Sequence, residues 1–219
     1  MFDALFTTTT EYKKLSHALS GKGACALFGL PASGRAQVYA ALCRQLDKPL
    51  CIVTPGEAEA TRFAADLNTL GIPAAVFPAR DYVLRPIEGT AREYEYRRLA
   101  VLGELVGGRL RAVAVPAEAL TQFTTPKEDF CANTRTLHAG DTLLRDDLLA
   151  ALFGAGYTRR AQVDGPGQFS VRGDIVDIFA PDQKMPVRME FWGDEIDTLH
   201  TFDLTTQRRE DAIDKIQQI

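Results

Sequence analysis

The sequence predicts an α/β chain of two units: a parallel sheet wound with helices over residues 1–124, then a small α+β unit with an antiparallel sheet over residues 125–210. Three observations predict it. In the first half, short apolar runs alternate with helix-length segments, a rhythm that implies crossover connections and a sheet covered on both faces. Around Thr124-Thr125-Pro126-Lys127 that rhythm breaks, and after one more helix the chain becomes short alternating segments separated by turn residues. At 46% hydrophobic and 25% charged over 219 residues, the composition is that of a folded protein with a sizeable core.

Taken in order, Ala24 to Phe28 reads as a strand, Gly29 to Ala36 as a tight loop and Gln37 to Leu46 as a helix. Pro49 to Val53 reads as a buried strand. Thr54-Pro55-Gly56-Glu57 has the form of a capping box with proline at the first helical position, opening a helix that Gly71 stops after about Leu70. Ala74 to Phe77 is the next strand, Thr90-Ala91-Arg92-Glu93 caps a longer helix ending at Gly107-Gly108, and Leu110 to Val115 is a further apolar run. In the second half a helix is expected near Leu143 to Leu152. Gly165-Pro166-Gly167 then joins strands Ala161–Asp164 and Gln168–Arg172, Pro181-Asp182-Gln183-Lys184 separates Asp174–Phe179 from Val187–Trp192, and Gly193-Asp194 turns into Glu195–Phe202.

Charge and cysteine usage narrow the function classes. The formal charge is -4, and from Tyr157 to Arg208 six basic residues face nine acidic ones, which argues against a chain whose main work is neutralising phosphates. Cys25, Cys43, Cys51 and Cys131 have no C-x-x-C spacing and the three histidines lie far apart, so no metal site or cofactor is expected. The cysteines read as ordinary buried thiols of a reducing cytoplasm. With no signal-peptide pattern at the start and no run approaching the roughly 18 apolar residues of a span, a cytoplasmic protein with no membrane partner is expected.

The loop Gly29 to Ala36 has the glycine spacing of a P-loop, G-x-x-x-x-G-K-[ST], at Gly29 and Gly34. It fails where the chemistry lies. Arg35 stands in place of the phosphate-binding lysine and Ala36 in place of the magnesium-binding hydroxyl, while Pro31 removes one backbone donor. The reading favoured is a degenerate, structural loop; the alternative is residual nucleotide binding.

Residues 187–192 carry the sharpest local signal. Strand alternation sends Val187, Met189 and Phe191 to one face and Arg188, Glu190 and Trp192 to the other. Arginine and tryptophan are over-represented among interface hot spots, so the second face reads as a docking surface. The duller alternatives are that Arg188 pairs with Glu190 or Asp194, that Arg172 pairs with Asp174 or Asp177 inside the sheet, and that Trp192 folds over the sheet edge.

The block Gly167-Gln168-Phe169-Ser170-Val171-Arg172-Gly173-Asp174-Ile175-Val176-Asp177, continued by Pro186-Val187-Arg188-Met189-Glu190-Phe191-Trp192-Gly193-Asp194, Phe202-Asp203 and Thr206-Gln207-Arg208, resembles a module shared by two families. One is that of the nucleotide excision repair protein UvrB; the other is that of the bacterial transcription-repair coupling factors, Mfd. Two departures favour the second: the broken loop at Gly29 to Ala36, and the six residues Leu84 to Gly89, too few for the long DNA-gripping hairpin of UvrB.

The resemblance implies a degenerate P-loop (RecA-like) domain over 1–124, a UvrA-docking domain over 125–210, and a segment 211–219 that begins a return to the first domain. It implies a non-catalytic adaptor that recruits UvrA to stalled transcription complexes, with Arg172, Arg188 and Trp192 as docking residues. It also implies a fragment of a longer translocase whose other regions engage RNA polymerase and double-stranded DNA, and a further domain that masks the docking face. Direct DNA binding by these residues is the remaining alternative.

Overall fold

The computed structural model describes residues 7–21, 24–46, 48–80 and 93–218. In chain order the elements are α1 (Thr10–Ser20), α2 (Ala32–Gln45), β1 (Leu50–Thr54), α3 (Glu57–Thr69), β2 (Ala74–Val76), α4 (Glu93–Val106), β3 (Ala112–Pro116), α5 (Ala117–Leu120) and α6 (Lys127–Asn133). There follow β4 (Arg135–His138), α7 (Arg145–Gly154), β5 (Thr158–Arg159), β6 (Gln168–Arg172), β7 (Ile175–Phe179), β8 (Val187–Trp192), β9 (Glu195–Phe202), β10 (Arg209–Ala212) and β11 (Lys215–Gln218). The chain divides into two compact units, Met1–Ile87 with Glu104–Phe123, and Glu88–Gly103 with Thr124–Ile219. Tyr82-Val83, the Leu84–Gly89 connection and the cap expected at Thr90 lie outside the described residues.

The first unit is built on a parallel sheet of order β1-β3-β2. Helix α3 carries Ala60, Phe63, Ala64 and Leu67 at the i, i+3, i+4, i+7 spacing that makes one apolar stripe. That stripe packs with Ile52, Ile72, Ala112 and Ala114 of and around the sheet, and β3, the central strand, is buried along its whole length.

Two expectations for this unit are corrected. Ala24 to Phe28 is not a strand: it takes no place in the sheet, and Phe28 is 87% exposed. An apolar run carries no period of its own, and a strand forms only where a neighbour offers a ladder for its backbone. Nor does Thr54 cap α3. The helix starts one residue past Gly56, and the Thr54 hydroxyl donates to the Gly56 carbonyl at 2.9 Å, closing the turn before the helix.

In the second unit a six-stranded sheet runs β10-β9-β8-β7-β6-β5. Neighbours are antiparallel except at one edge, where β5 joins β6 in parallel. One face buries Phe169, Val176, Ile178, Val187, Met189, Phe191, Ile196 and Leu199 against Leu148 and Leu152 of α7. The alternation of Val187, Met189 and Phe191 into the core is as the strand period requires.

The strand expected at Ala161–Asp164 is replaced by β5, three residues earlier, and the reason is Val163. Its side chain is fully buried with Phe179 and Phe202 on the opposite face of the sheet, so this stretch leaves the sheet plane to cover that face. Helix α6 adds a helix the sequence pattern did not reveal. The last segment, expected to lead toward the first domain, pairs as β11 antiparallel with β4 inside the second unit.

Candidate docking surface

The face of this sheet opposite the α7 core carries the residues of interest. Two Gly-Asp turns shape its end. Arg172 pairs with Ile175 across Gly173-Asp174, and Trp192 pairs with Glu195 across Gly193-Asp194. In both turns only the glycine has positive φ, 59° at Gly173 and 63° at Gly193, the signature of a two-residue turn with glycine at its first central position. Arg145 braces the first turn by donating from Nη1 to the Gly173 carbonyl at 2.8 Å and to Asp174 Oδ1 at 3.2 Å.

Asp177 is the centre of the face. It lies in register opposite Arg188, and it is 1% exposed. A carboxylate so far from water persists in charged form only if paired and hydrogen-bonded. Arg188 supplies a two-pronged contact, Nε to Oδ1 at 2.7 Å and Nη2 to Oδ2 at 2.9 Å. Arg172 adds Nη2 to Oδ2 at 2.5 Å, and the Ser170 hydroxyl lies 3.4 Å from the same oxygen. One carboxylate therefore serves two guanidinium groups, and the cluster keeps a net positive charge.

The two arginines sit differently. Arg188 is only 8% exposed; its guanidinium stacks 4.7 Å above the Phe202 ring and its Nη1 donates to the Gln207 carbonyl at 3.2 Å. Gln207 holds φ at 59°, the one positive value outside glycine among the described residues, so the turn after β9 is bent to place that carbonyl there. The hydrogen bonds that Arg188 donates to Asp177 raise the guanidinium's pKa above its ordinary value, outweighing the opposing effect of burial. Arg172, by contrast, has a side chain 47% exposed. Among the described residues it hydrogen-bonds through Nη2 alone, which leaves most of its five N–H donors facing outward.

Trp192, at the end of β8, is 83% exposed, and does not fold over the sheet edge. Beside it Glu190 is half-buried, paired with Arg209 and accepting from Thr198 Oγ1 at 3.3 Å. The expectation that Arg188 projects into solvent with Trp192 is thus corrected. Strand period assigned the face rightly but could not foresee that Asp177, Phe202 and the turn at Gln207 enclose that part of it. The residue that sequence reasoning undervalued is Asp177, considered only as a partner for Arg172. Its signal was a charged residue set between Val176 and Ile178, one strand away from an arginine on the same face.

In the first unit, Arg35 is turned onto its own neighbours. Its Nη1 lies 3.8 Å from Glu59 Oε1 and its guanidinium 5.6 Å from the centre of the Phe63 ring. Ala36 is buried in the core, and Gly29 takes φ 80°. Among the described residues no group of three or more His, Cys, Asp or Glu is placed to hold a metal, and no helix is long and apolar enough to cross a membrane.

Residues 136–219 match the family described as the UvrB interaction domain, which spans the whole six-stranded sheet and the surface just built. Along most of its length the chain is similar to transcription-repair-coupling factors: that of Bacillus subtilis at 29% identity over 192 residues (87% of this chain, 16% of the relative), that of Mycobacterium tuberculosis at 38% over 192 residues (84% and 15%), and that of Myxococcus xanthus at 33% over 202 residues (87% and 17%). The chain is a relative of the UvrB-like N-terminal region of that family, Mfd, and spans about a sixth of the length of the curated relatives it matches.

Proposed function

We propose that this chain is a non-catalytic adaptor module of transcription-coupled nucleotide excision repair, whose second unit docks UvrA through Arg172 and Trp192. The single observation that carries the reading is the coincidence of the UvrB interaction domain match with an exposed indole and a half-exposed guanidinium on one face of the matched sheet. An indole offers a large, flat apolar area and one donor, and a guanidinium offers forked recognition of a carboxylate, which together make a hot-spot pair suited to a protein partner. Arg188 supports the same surface from beneath it.

The first unit is read as a degenerate P-loop domain of RecA-like descent. What supports this is the engagement of Arg35 with Glu59 and Phe63 and the burial of Ala36, where phosphate and magnesium ligands would be needed. Contacts with RNA polymerase and double-stranded DNA, and a masking domain over the docking face, are assigned to the longer proteins of the family.

The test is isothermal titration of UvrA into the 219-residue chain and into its Trp192→Ala and Arg172→Ala variants. Each substitution should weaken binding by about 2 kcal/mol or more. Unchanged affinity in both variants removes the assignment, and a steep fall of affinity for bare duplex DNA with salt would favour a nucleic-acid partner instead.

A further inference from the structure

We infer that Asp177 is a shared anchor that aims Arg172 at a carboxylate on the docking partner, and that Arg188 acts through Asp177 without touching the partner. This rests on the docking reading above and specifies its chemistry.

Asp177 accepts from two guanidinium groups in unequal ways. Arg188 approaches both carboxylate oxygens in a planar, two-pronged contact, whereas Arg172 reaches only Oδ2 and with only one nitrogen. A guanidinium has five N–H groups in a rigid plane, so fixing one edge on a buried oxygen fixes the direction of the others. With Asp177 at 1% exposure and Arg172 at 47%, the free edge of Arg172 lies on the solvent side. Because Arg188 already neutralises the buried carboxylate, the charge of Arg172 is left uncompensated by its own scaffold. A cation held in one orientation on the face that also carries an exposed indole is complementary to an Asp or Glu at the border of an apolar recess.

Arg188 is excluded from direct contact by its surroundings. Its Nε and Nη2 are used by Asp177, its Nη1 by the Gln207 carbonyl, and its face by Phe202. What it contributes is the position of Asp177: it fixes both oxygens and so sets where Oδ2 meets Arg172. Without that fork the carboxylate is free to turn toward Arg172 and draw it inward. Arg188 and Asp177 are therefore positioning residues, and Arg172 is the contacting one.

A double-mutant cycle on the full 219-residue chain tests this, with UvrA affinity measured by titration calorimetry and folding followed by thermal melting. Arg172→Ala should weaken UvrA binding about 30-fold or more. Arg188→Ala should weaken it to a similar degree, Arg188→Lys should restore part of the loss, and Arg188→Ala added to Arg172→Ala should cost less than about 2-fold more. Fully additive losses would mean that Arg188 meets the partner itself and would overturn the inference.

If Arg188→Ala does not fold, Asp177→Asn decides, since it keeps size and packing while removing the charge that orients both arginines. Asp177→Asn should weaken UvrA binding in the chain carrying Arg172 and have little effect in the chain carrying Arg172→Ala. Unchanged affinity in the first of these overturns the inference. The docking reading fails separately, if neither Trp192→Ala nor Arg172→Ala affects UvrA.

Discussion

Replacing Arg188 by alanine should damage the second unit far more than replacing Arg172, although both bind the same carboxylate. Arg188→Ala removes the contacts at 2.7 and 2.9 Å to Asp177, the bond to the Gln207 carbonyl and the packing on Phe202, and leaves a carboxylate of 1% exposure with one guanidinium reaching it from the edge. Breaking a buried pair from one side costs about 3–5 kcal/mol. With a urea dependence of about 2 kcal/mol per molar, that lowers the unfolding midpoint by roughly 1.5–2.5 M. Arg172→Ala leaves the two-pronged contact intact and removes one half-exposed pair, so it should cost about 1 kcal/mol or less. Replacing both members of the buried pair, Asp177→Leu with Arg188→Met, should recover most of the loss, because well-packed apolar residues substitute for an ion pair at little net cost. Urea unfolding followed by far-ultraviolet circular dichroism measures all three. A loss below about 1 kcal/mol for Arg188→Ala would refute the reasoning, since a solvated carboxylate would not miss its partner.

Three further outcomes are expected. Asp203 accepts from the Thr205 and Thr206 amides at 3.1 and 2.7 Å, and these bonds, that from the Thr206 backbone foremost, hold its carboxyl below the ordinary 3.8. Its contribution to the turn that covers Arg188 is therefore complete above pH 3.8 and is lost as the pH falls through the lowered value; amide exchange of Thr205 and Thr206 should quicken in that acid range in wild type and at all pH in Asp203→Ala. Of the four cysteines expected to be buried only Cys43 is, and its thiol is pushed up by that burial, which outweighs the pull of Arg111 and Arg44; Cys25, Cys51 and Cys131 are exposed. Brief alkylation under native conditions, read by peptide mass spectrometry, should modify Cys25 and Cys131 first and Cys43 last. Calorimetry with magnesium-ATP should give no saturable heat, and saturable binding abolished by substituting Gly34 would reinstate the nucleotide reading.

Much of this architecture is legible in the chain because it is written in periods. Helix α3 follows from four apolar residues at helical spacing, the parallel sheet from apolar runs separated by helices, and the burial of Val187, Met189 and Phe191 from simple alternation. What period cannot supply is cover. Alternation assigned Arg188 to the right face, yet its burial depends on Phe202 and Gln207, which are adjacent to it only after β9 has folded back. The same limit explains Val163, whose residue type fits a strand but whose side chain is needed over Phe179 and Phe202. Ala24 to Phe28 fails for the complementary reason: its residues suit a strand, but pairing is a property of two segments. On the proposed surface the exposure of Trp192 and Arg172 was legible, since it follows from position at a strand end, whereas the place of Asp177 was not, since it depends on the two side chains that this carboxylate joins.

Trp192 is the only tryptophan in the sequence, so fluorotryptophan incorporation places a single fluorine reporter at the centre of the proposed surface. In the free chain its resonance should show the solvent sensitivity of an exposed ring, and addition of UvrA should shift or broaden it in a saturable way. A complex that forms while that resonance stays unmoved and fully solvent-sensitive would contradict docking at this surface.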